Sequence, residues 1–338
     1  MSKITNHSSK TIRLNASLKS PFSIVYLPFI ARVYRTAFRP RKRTSKKLIG
    51  KPAKSLFRGL SFLGFTGTGI AQLQTPKGPK KIYFSGRNTQ FGALYMPQSL
   101  PIYERETSAL LLKLIKKDDV FFDIGANWGW YSILIGNQSK FMGKIHAFEP
   151  HPTNYSDLVS IVDQSNLKNR VKCHNIALAE TSGNGKIAFS DGLQNGLARL
   201  GSVGVNVKLE RLDNLRIPNP IVIKIDAEDH ELGVLKGGAN IIDKSRPFII
   251  IENWLHDQEP QKTLLPLSFL AERDYCFFIA GWVDKDPNCI KTNSQVSSEL
   301  ALVPFFITQR FQMIDQINVF AVPRERIPEL HRRLLISS

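Results

Sequence analysis

The sequence predicts an α/β fold in which a mainly parallel sheet is covered by helices on both faces. Three observations carry that expectation. From Glu104 onward, short apolar runs alternate with apolar stripes of helical period. Four of the runs end in a carboxylate, at Asp123, Glu149, Asp226 and Glu252. The first of them passes directly into a glycine-containing turn, Gly125-Ala126-Asn127-Trp128-Gly129. A run that stops at an acid and two glycines reads as a central strand, a tight turn and a helix.

Charge divides the chain before any motif does. Of 46 Lys and Arg, 19 precede residue 104, whereas none of the 28 acids does. Residues 1–103 are therefore expected to be a basic, acid-free N-terminal arm, partly disordered or packed on the domain formed by 104–338. Such an arm suits plain solvation, targeting or an anionic membrane surface, with nucleic acid a weaker fit. Its apolar stretch at 21–31 contains two prolines and falls well short of the roughly 20 apolar residues that cross a bilayer. Cys173, Cys276 and Cys289 lie far apart without metal-ligand spacing, which suits a reducing compartment. The expected location is cytoplasmic, peripheral to a membrane if the arm binds one.

Within the arm, Gly50, Pro52, Pro76, Gly78 and Pro79 break the pattern, so 40–90 reads as loosely structured. A short amphipathic helix at 55–63 and strands at 82–84 and 91–95 are expected there. Leu110, Leu111, Leu114 and Ile115 then mark a helix at 107–116, before the strand 120–123. The helix after Gly129 holds Tyr131, Ile133, Leu134 and Ile135. Strand 144–149 precedes Pro150 and a helix with Leu158, Ile161 and Val162. Strand 171–178, a hairpin near 186–190 and a glycine-rich loop at 191–204 follow. The alternation resumes with strand 221–226, helix 232–237, strand 247–252, helix 264–272, strand 275–279 and a last strand at 319–322. Residues 283–317 are long for a connection and read as an insertion.

Ligands of open α/β sheets bind beyond the carboxyl ends of the strands, which is where all four acids fall. Any one of them could simply cap a helix. Together they suit a ligand with hydroxyls, an ammonium, a proton to lose, or a metal. A dinucleotide needs G-x-G-x-x-G after the strand and a helix N-terminus free for pyrophosphate. Here Asp123 stands in front of the glycines and would repel phosphate, while Glu149 can accept both hydroxyls of a ribose. A cationic, phosphate-free cofactor, S-adenosylmethionine, fits better than NAD.

The blocks DIGANWGWYS, HAFEPHP, NIALAETSG, KIDAEDHELGVLKGG and FIIIEN, in that order, resemble those of the FkbM family of S-adenosylmethionine-dependent methyltransferases. The resemblance spans roughly 104–275. It implies a Rossmann-like methyltransferase fold, with a seven-stranded sheet whose last strand is antiparallel. It also implies that Asp123, Gly125, Asn127 and Gly129 line the methionine end, with Tyr131 and Ser132 following them. Glu149 and Pro150 would take the ribose, and Asn175 to Ala177 would lie by the adenine. Asp229 departs from the pattern, because the family commonly has glycine there; at positive φ an Asp is tolerated at some cost.

Methyl transfer to a hydroxyl needs alignment and a base. The candidate bases are Asp226, Glu228, His230, Glu231 and Glu252, with Asp226 foremost as base or as the group that orients the acceptor. His230 and Glu231 read equally well as a surface histidine and a first-turn helix acid. Asp226, Glu228 and Glu252 could hold a hard divalent cation, although no metal is expected. Trp254 follows a strand end and suits an acceptor pocket; Gln194 and Arg199 in the glycine-rich loop could clamp substrate. The leading expectation is O-methylation of a small-molecule or glycan hydroxyl. Nucleic-acid methylation through the arm and a non-catalytic, membrane-associated binding module are the alternatives. Against the first of these, the strand end reads Asp226-Ala227-Glu228, without the Pro-Pro-aromatic pattern of amino-methylating enzymes.

Overall fold

A computed structural model of the chain describes residues 11–16, 18–39, 45–96, 103–189, 198–201, 204–284, 290–292, 297–313 and 316–335. The acid-free segment is built as follows: β1 (Ile12–Asn15), β2 (Phe22–Tyr26), α1 (Phe29–Phe38), α2 (Lys51–Phe62), β3 (Thr68–Thr75) and β4 (Gly78–Ser85). Its apolar residues alternate over short spans, as the buried positions of Thr68–Thr75 show. That alternation suits strands with one face on a core, so the loosely structured reading of 40–90 gives way to a β2–β3–β4 sheet. The strand expected at 91–95 is instead a 3₁₀ turn, Thr89–Leu94, because the Asn88 side chain accepts the Gln90 N–H and starts a helical turn.

The rest alternates as the sequence predicts, except that the strand expected at 171–178 divides into two strands of different sheets and a strand, Ala198–Gly201, lies within the expected glycine-rich loop. The segment after Glu104 gives α3 (Arg105–Leu114), β5 (Val120–Ile124), α4 (Trp130–Gly136), β6 (Lys144–Phe148), α5 (Pro152–Gln164) and β7 (Val171–His174). A side sheet follows, made of β8 (Ala177–Leu178), β9 (Gly183–Phe189), β10 (Ala198–Gly201) and β11 (Val205–Glu210). The last third contains β12 (Val222–Ile225), α6 (Glu231–Gly237), α7 (Ala239–Ser245), β13 (Phe248–Trp254) and α8 (Pro260–Ala271). It closes with β14 (Tyr275–Val283), β15 (Ile290–Lys291), β16 (Glu299–Phe305), β17 (Gln316–Pro323) and α9 (Ile327–Leu335).

Among the described residues the central sheet has ten strands rather than the expected seven, in the order β1-β16-β14-β17-β13-β12-β5-β6-β7, with β15 beside β14. From β13 to β7 the strands are parallel, and β17 lies antiparallel between β13 and β14. The three additional strands come from two places. The segment expected as an insertion supplies β15 and β16, and the acid-free segment supplies β1, which pairs with β16 from Ile12↔Leu302 to Asn15↔Glu299. Parallel strands covered on both faces are mostly apolar, and Val222–Ile225 is buried at every position, Lys224 included.

The β2–β4 sheet and the 3₁₀ turn dock directly on the glycine-containing turn. Trp128 donates its indole N–H to the Gln90 carbonyl at 3.1 Å, and its ring lies 4.9 Å from Phe91 and 5.9 Å from Phe22. Gln164 bonds both backbone groups of Tyr83, at 2.7 and 2.9 Å. Helices α1 and α2 enclose a separate small core of Ile30, Val33 and Phe57, with Phe57 5.1 Å from Tyr34. Phe57→Ala should therefore lower the unfolding free energy by about 3 kcal/mol in urea denaturation. A solvated arm would lose nothing.

Candidate active site

The site is assembled where β5, β6, β12 and β13 end. After Ile124 the chain turns through positive φ at Gly125 (78°), Asn127 (51°) and Gly129 (96°). Both glycines are enforced by close approach as well as by φ. A Cβ on Gly125 would lie 1.7 Å from the Asp226 carbonyl oxygen, and one on Gly129 would lie 2.6 Å from Leu158. The turn is thus wedged against the end of β12, which brings the first and third acid-bearing strand ends together.

Asp123 holds the turn from behind. Its Oδ2 accepts the Ser132 N–H at 3.0 Å and the Ser132 hydroxyl at 2.6 Å, fixing the strand end to the first turn of α4. Burial pushes its pKa up to about 6, against the pull of those bonds. Asp123 and Ser132 spend their polar atoms on each other, and neither they, Gly129 nor Asn175 lines the cavity in front. Asn175 instead donates to the carbonyls of Glu149 and Pro150, at 2.9 and 3.0 Å. The remaining expected residues do come together: Gly125, Asn127, Tyr131, Glu149, Pro150, Ala177, Asp226, Glu228, His230 and Glu252 line one cavity of about 300 Å³.

At one side of the cavity stands Glu149. Its two carboxylate oxygens accept backbone N–H groups from Asn127 at 2.9 Å and His151 at 2.8 Å. Burial nonetheless raises its pKa to about 7. The Asn154 side chain bonds the carboxylate as well, and of its about four acceptor sites these three bonds leave room for a hydroxyl donor. Beside it, the buried Asn127 Oδ1 faces the cavity without a hydrogen-bond partner, an acceptor suited to an ammonium.

On the other side lies a charged cluster. Lys224 is fully buried, and its Nζ is 3.3 Å from Asp226 Oδ2 and 5.7 Å from the Tyr131 ring centre. Burial works to lower the lysine pKa, but the charges of Asp226, Glu104 and Glu252 overcome it and raise the pKa. Glu252 accepts from the Trp254 indole at 2.9 Å and from the Gln316 amide. Its own pKa is raised well above the usual range by burial and then by the Asp226 charge. Glu104 completes the group, accepting from the Tyr131 hydroxyl and from Asn318 Nδ2 at 2.9 Å.

Two expected bases stand apart from this cluster. Glu231 folds back to accept the Ala227 N–H at 3.0 Å and does not line the cavity. His230 lines the cavity, with burial lowering its pKa and its ring packed where any Gly233 side chain would stand. Asp229 adopts φ 74°, the conformation for which the family commonly uses glycine, and pairs with His256 Nε2 at 3.0 Å. Among the described residues, one carboxylate group is compact enough for a cation: Glu104, Asp226 and Glu252, with ligand atoms within 4.8 Å of one another. Glu104 stands there in place of the expected Glu228. Of the two loop residues, Gln194 lies outside the described residues, as does Cys289, and Arg199 sits on β10.

Sequence reasoning passed over Lys224, Glu104, Tyr103 and Gln316. A lone lysine inside the otherwise apolar run Ile221–Ile225 was the available signal, since such a charge needs a buried partner.

Residues 123–277 match the family model described as the methyltransferase FkbM domain. The chain is similar to that domain over 155 of its 338 residues. The match begins at the acid of the glycine-containing turn and ends within β14, so it takes in Glu149, Asp226 and Glu252 but not Gln316 of β17, which also lines the cavity. The hexuronic acid methyltransferase AglP of Haloferax volcanii is 30% identical over 154 residues, 44% of this chain and 62% of that protein. The alignment thus spans less than two thirds of the relative. A solved FkbM methyltransferase from Methylobacillus flagellatus is 21% identical, with 56% of this chain and 44% of that one covered and a TM-score of 0.39. An O-methyltransferase from Bacillus cereus solved with SAH is 16% identical, covering 57% of this chain and 78% of that one, at a TM-score of 0.36.

The buried Glu149 has a pH signature. Its folded-state pKa of about 7 exceeds its ordinary 4.5, so the folded protein holds this proton more tightly than the unfolded chain. That contribution is fully present below 4.5 and is lost as the pH rises to about 7. Glu149→Gln should flatten the fall in stability of the unliganded protein across this window, measured by urea unfolding at a series of pH values.

Proposed function

We propose that the protein is an S-adenosylmethionine-dependent O-methyltransferase that acts on a hydroxyl of a glycan or small molecule. The observation that carries this reading is one cavity with a hydroxyl-accepting carboxylate, Glu149, on one side and the Asp226–Glu252 pair on the other. The cavity residues fit the cofactor. Glu149 would take the ribose hydroxyls and Asn127 Oδ1 the amino acid ammonium, while the acidic wall favours a sulfonium and disfavours phosphate. When bound, the cofactor supplies an activated methyl group.

The chain's own residues supply orientation and proton transfer. Asp226, 3.3 Å from the Lys224 ammonium and lining the cavity, is the carboxylate placed to take a proton from the acceptor hydroxyl. Lys224 holds Asp226 in place and offsets its charge. Trp254 offers the acceptor an aromatic wall next to Glu252. The relative's printed name, a hexuronic acid methyltransferase, supports a saccharide acceptor. The Lys224 ammonium already sits beside the carboxylates that a divalent cation would need, so a chelator is expected to leave turnover unchanged.

The test is transfer of label from methyl-labelled S-adenosylmethionine to fractionated glycan and small-molecule pools. Asp226→Asn should lower turnover by about 10²–10⁴-fold, the usual share of a positioned base. Cofactor affinity should stay close to that of the parent. Label entering nucleic acid alone, or undiminished turnover in Asp226→Asn, would refute the reading.

A further inference from the structure

The acid-free segment carries a surface that the methyl-transfer reading leaves unused. Single exposed apolar residues are ordinary, but here several gather at one corner. Helices α1 and α2 run antiparallel, which brings the start of one beside the end of the other. Phe29 meets Phe65 at 6.4 Å, while Tyr34 and Phe38 meet Phe57 at 5.1 and 6.2 Å. At the first of these ends Phe62 is 90% exposed, Leu63 79% and Phe29 54%. Val25 and Tyr26, at the bulged end of β2, are half exposed beside them.

Cations frame the same corner. Arg32 lies 5.5 Å from the Tyr26 ring centre, held by its bond to the Leu27 carbonyl at 2.7 Å. Arg58 stands one helical turn before Phe62. Arg87 follows Gly86, whose N–H bonds the Gly67 carbonyl at 2.7 Å at the base of the β3–β4 hairpin. No acid occurs anywhere in residues 1–103 to offset them. Among the described residues no helix is long and apolar enough to cross a membrane.

We propose that this corner is a membrane-contact surface, which seats Phe62, Leu63 and Phe29 in the interfacial layer of an anionic bilayer while the arginines meet lipid phosphates. Charge and apolarity together select this occupant. A nucleic acid backbone would satisfy the cations and leave Phe62 in water. A second copy of the chain would bring the same cations against these. An anionic lipid surface offers negative charge and an apolar phase a few ångströms apart.

The experiment is co-sedimentation of the full-length protein with phosphatidylcholine vesicles, with and without phosphatidylglycerol, at low and high salt. Binding should require the anionic lipid and weaken with salt. The double variant Phe62→Ser, Leu63→Ser should lose ~10-fold or more in partition, as expected for two apolar side chains leaving the interface. Its thermal midpoint should match the parent, because both side chains are solvent-facing. Absence of binding to anionic vesicles, or an unchanged partition in the double variant, would overturn the proposal. So would binding to a single-stranded oligonucleotide in place of vesicles.

Discussion

Lys224 is the constraint on which the rest of the site depends. A fully buried ammonium is tolerated only where carboxylates surround it, and a carboxylate cluster is tolerated only where a cation offsets it. Asp226 comes from the end of the same strand, Glu252 from the end of the next, and Glu104 from the start of α3. One lysine therefore fixes three otherwise separate chain segments about a common point. Glu104 is held at φ 39°, a strained conformation for a side-chain-bearing residue, which the Tyr131 and Asn318 bonds maintain. Removing the ammonium would leave the carboxylates to repel one another across the cavity.

The opposite side of the cavity is built by backbone rather than by charge. Gly125 lets the turn press against the Asp226 carbonyl, and this contact sets the width of the cleft between Glu149 and Asp226. Asp123 and Ser132 lock that turn to α4, and Trp128 locks it to the 3₁₀ turn through Gln90 and Phe91 and to β2 through Phe22. The acid-free segment is consequently part of the wall of the site: Gln90 and Ala93 both line the cavity. The surface proposed for lipid contact lies on the same acid-free segment that lends Gln90 and Ala93 to the cavity wall.

Much of this architecture was legible in the sequence because it is local. Alternating apolar runs, terminal acids and a glycine turn each act within a dozen residues, and they marked the parallel core, Glu149, Asp226 and Glu252 correctly as strand-end groups. What escaped was non-local. Ile12–Asn15 becomes a sheet strand only by pairing with Glu299–Phe305, a partner that no local pattern announces. Glu104 joins the site only once α3 is packed beside α4. The position of Asp123 before the glycines is shared by ligand-binding and turn-locking acids alike. Only the Ser132 bonds show that its Oδ2 is engaged behind the turn. The basic composition of residues 1–103 likewise hid the alternation within β3 and β4, since charge is read over long windows and strand pattern over short ones.

The central claim is that the cavity between Glu149 and Asp226 binds the methyl donor. Calorimetric titration of the full-length protein with S-adenosylmethionine tests it most directly, using Glu149→Ala beside the parent chain. The account predicts one binding event per chain in the parent and a loss of ~10-fold or more in Glu149→Ala, because a buried acceptor for paired hydroxyls is removed. Equal affinity in the two proteins would contradict it.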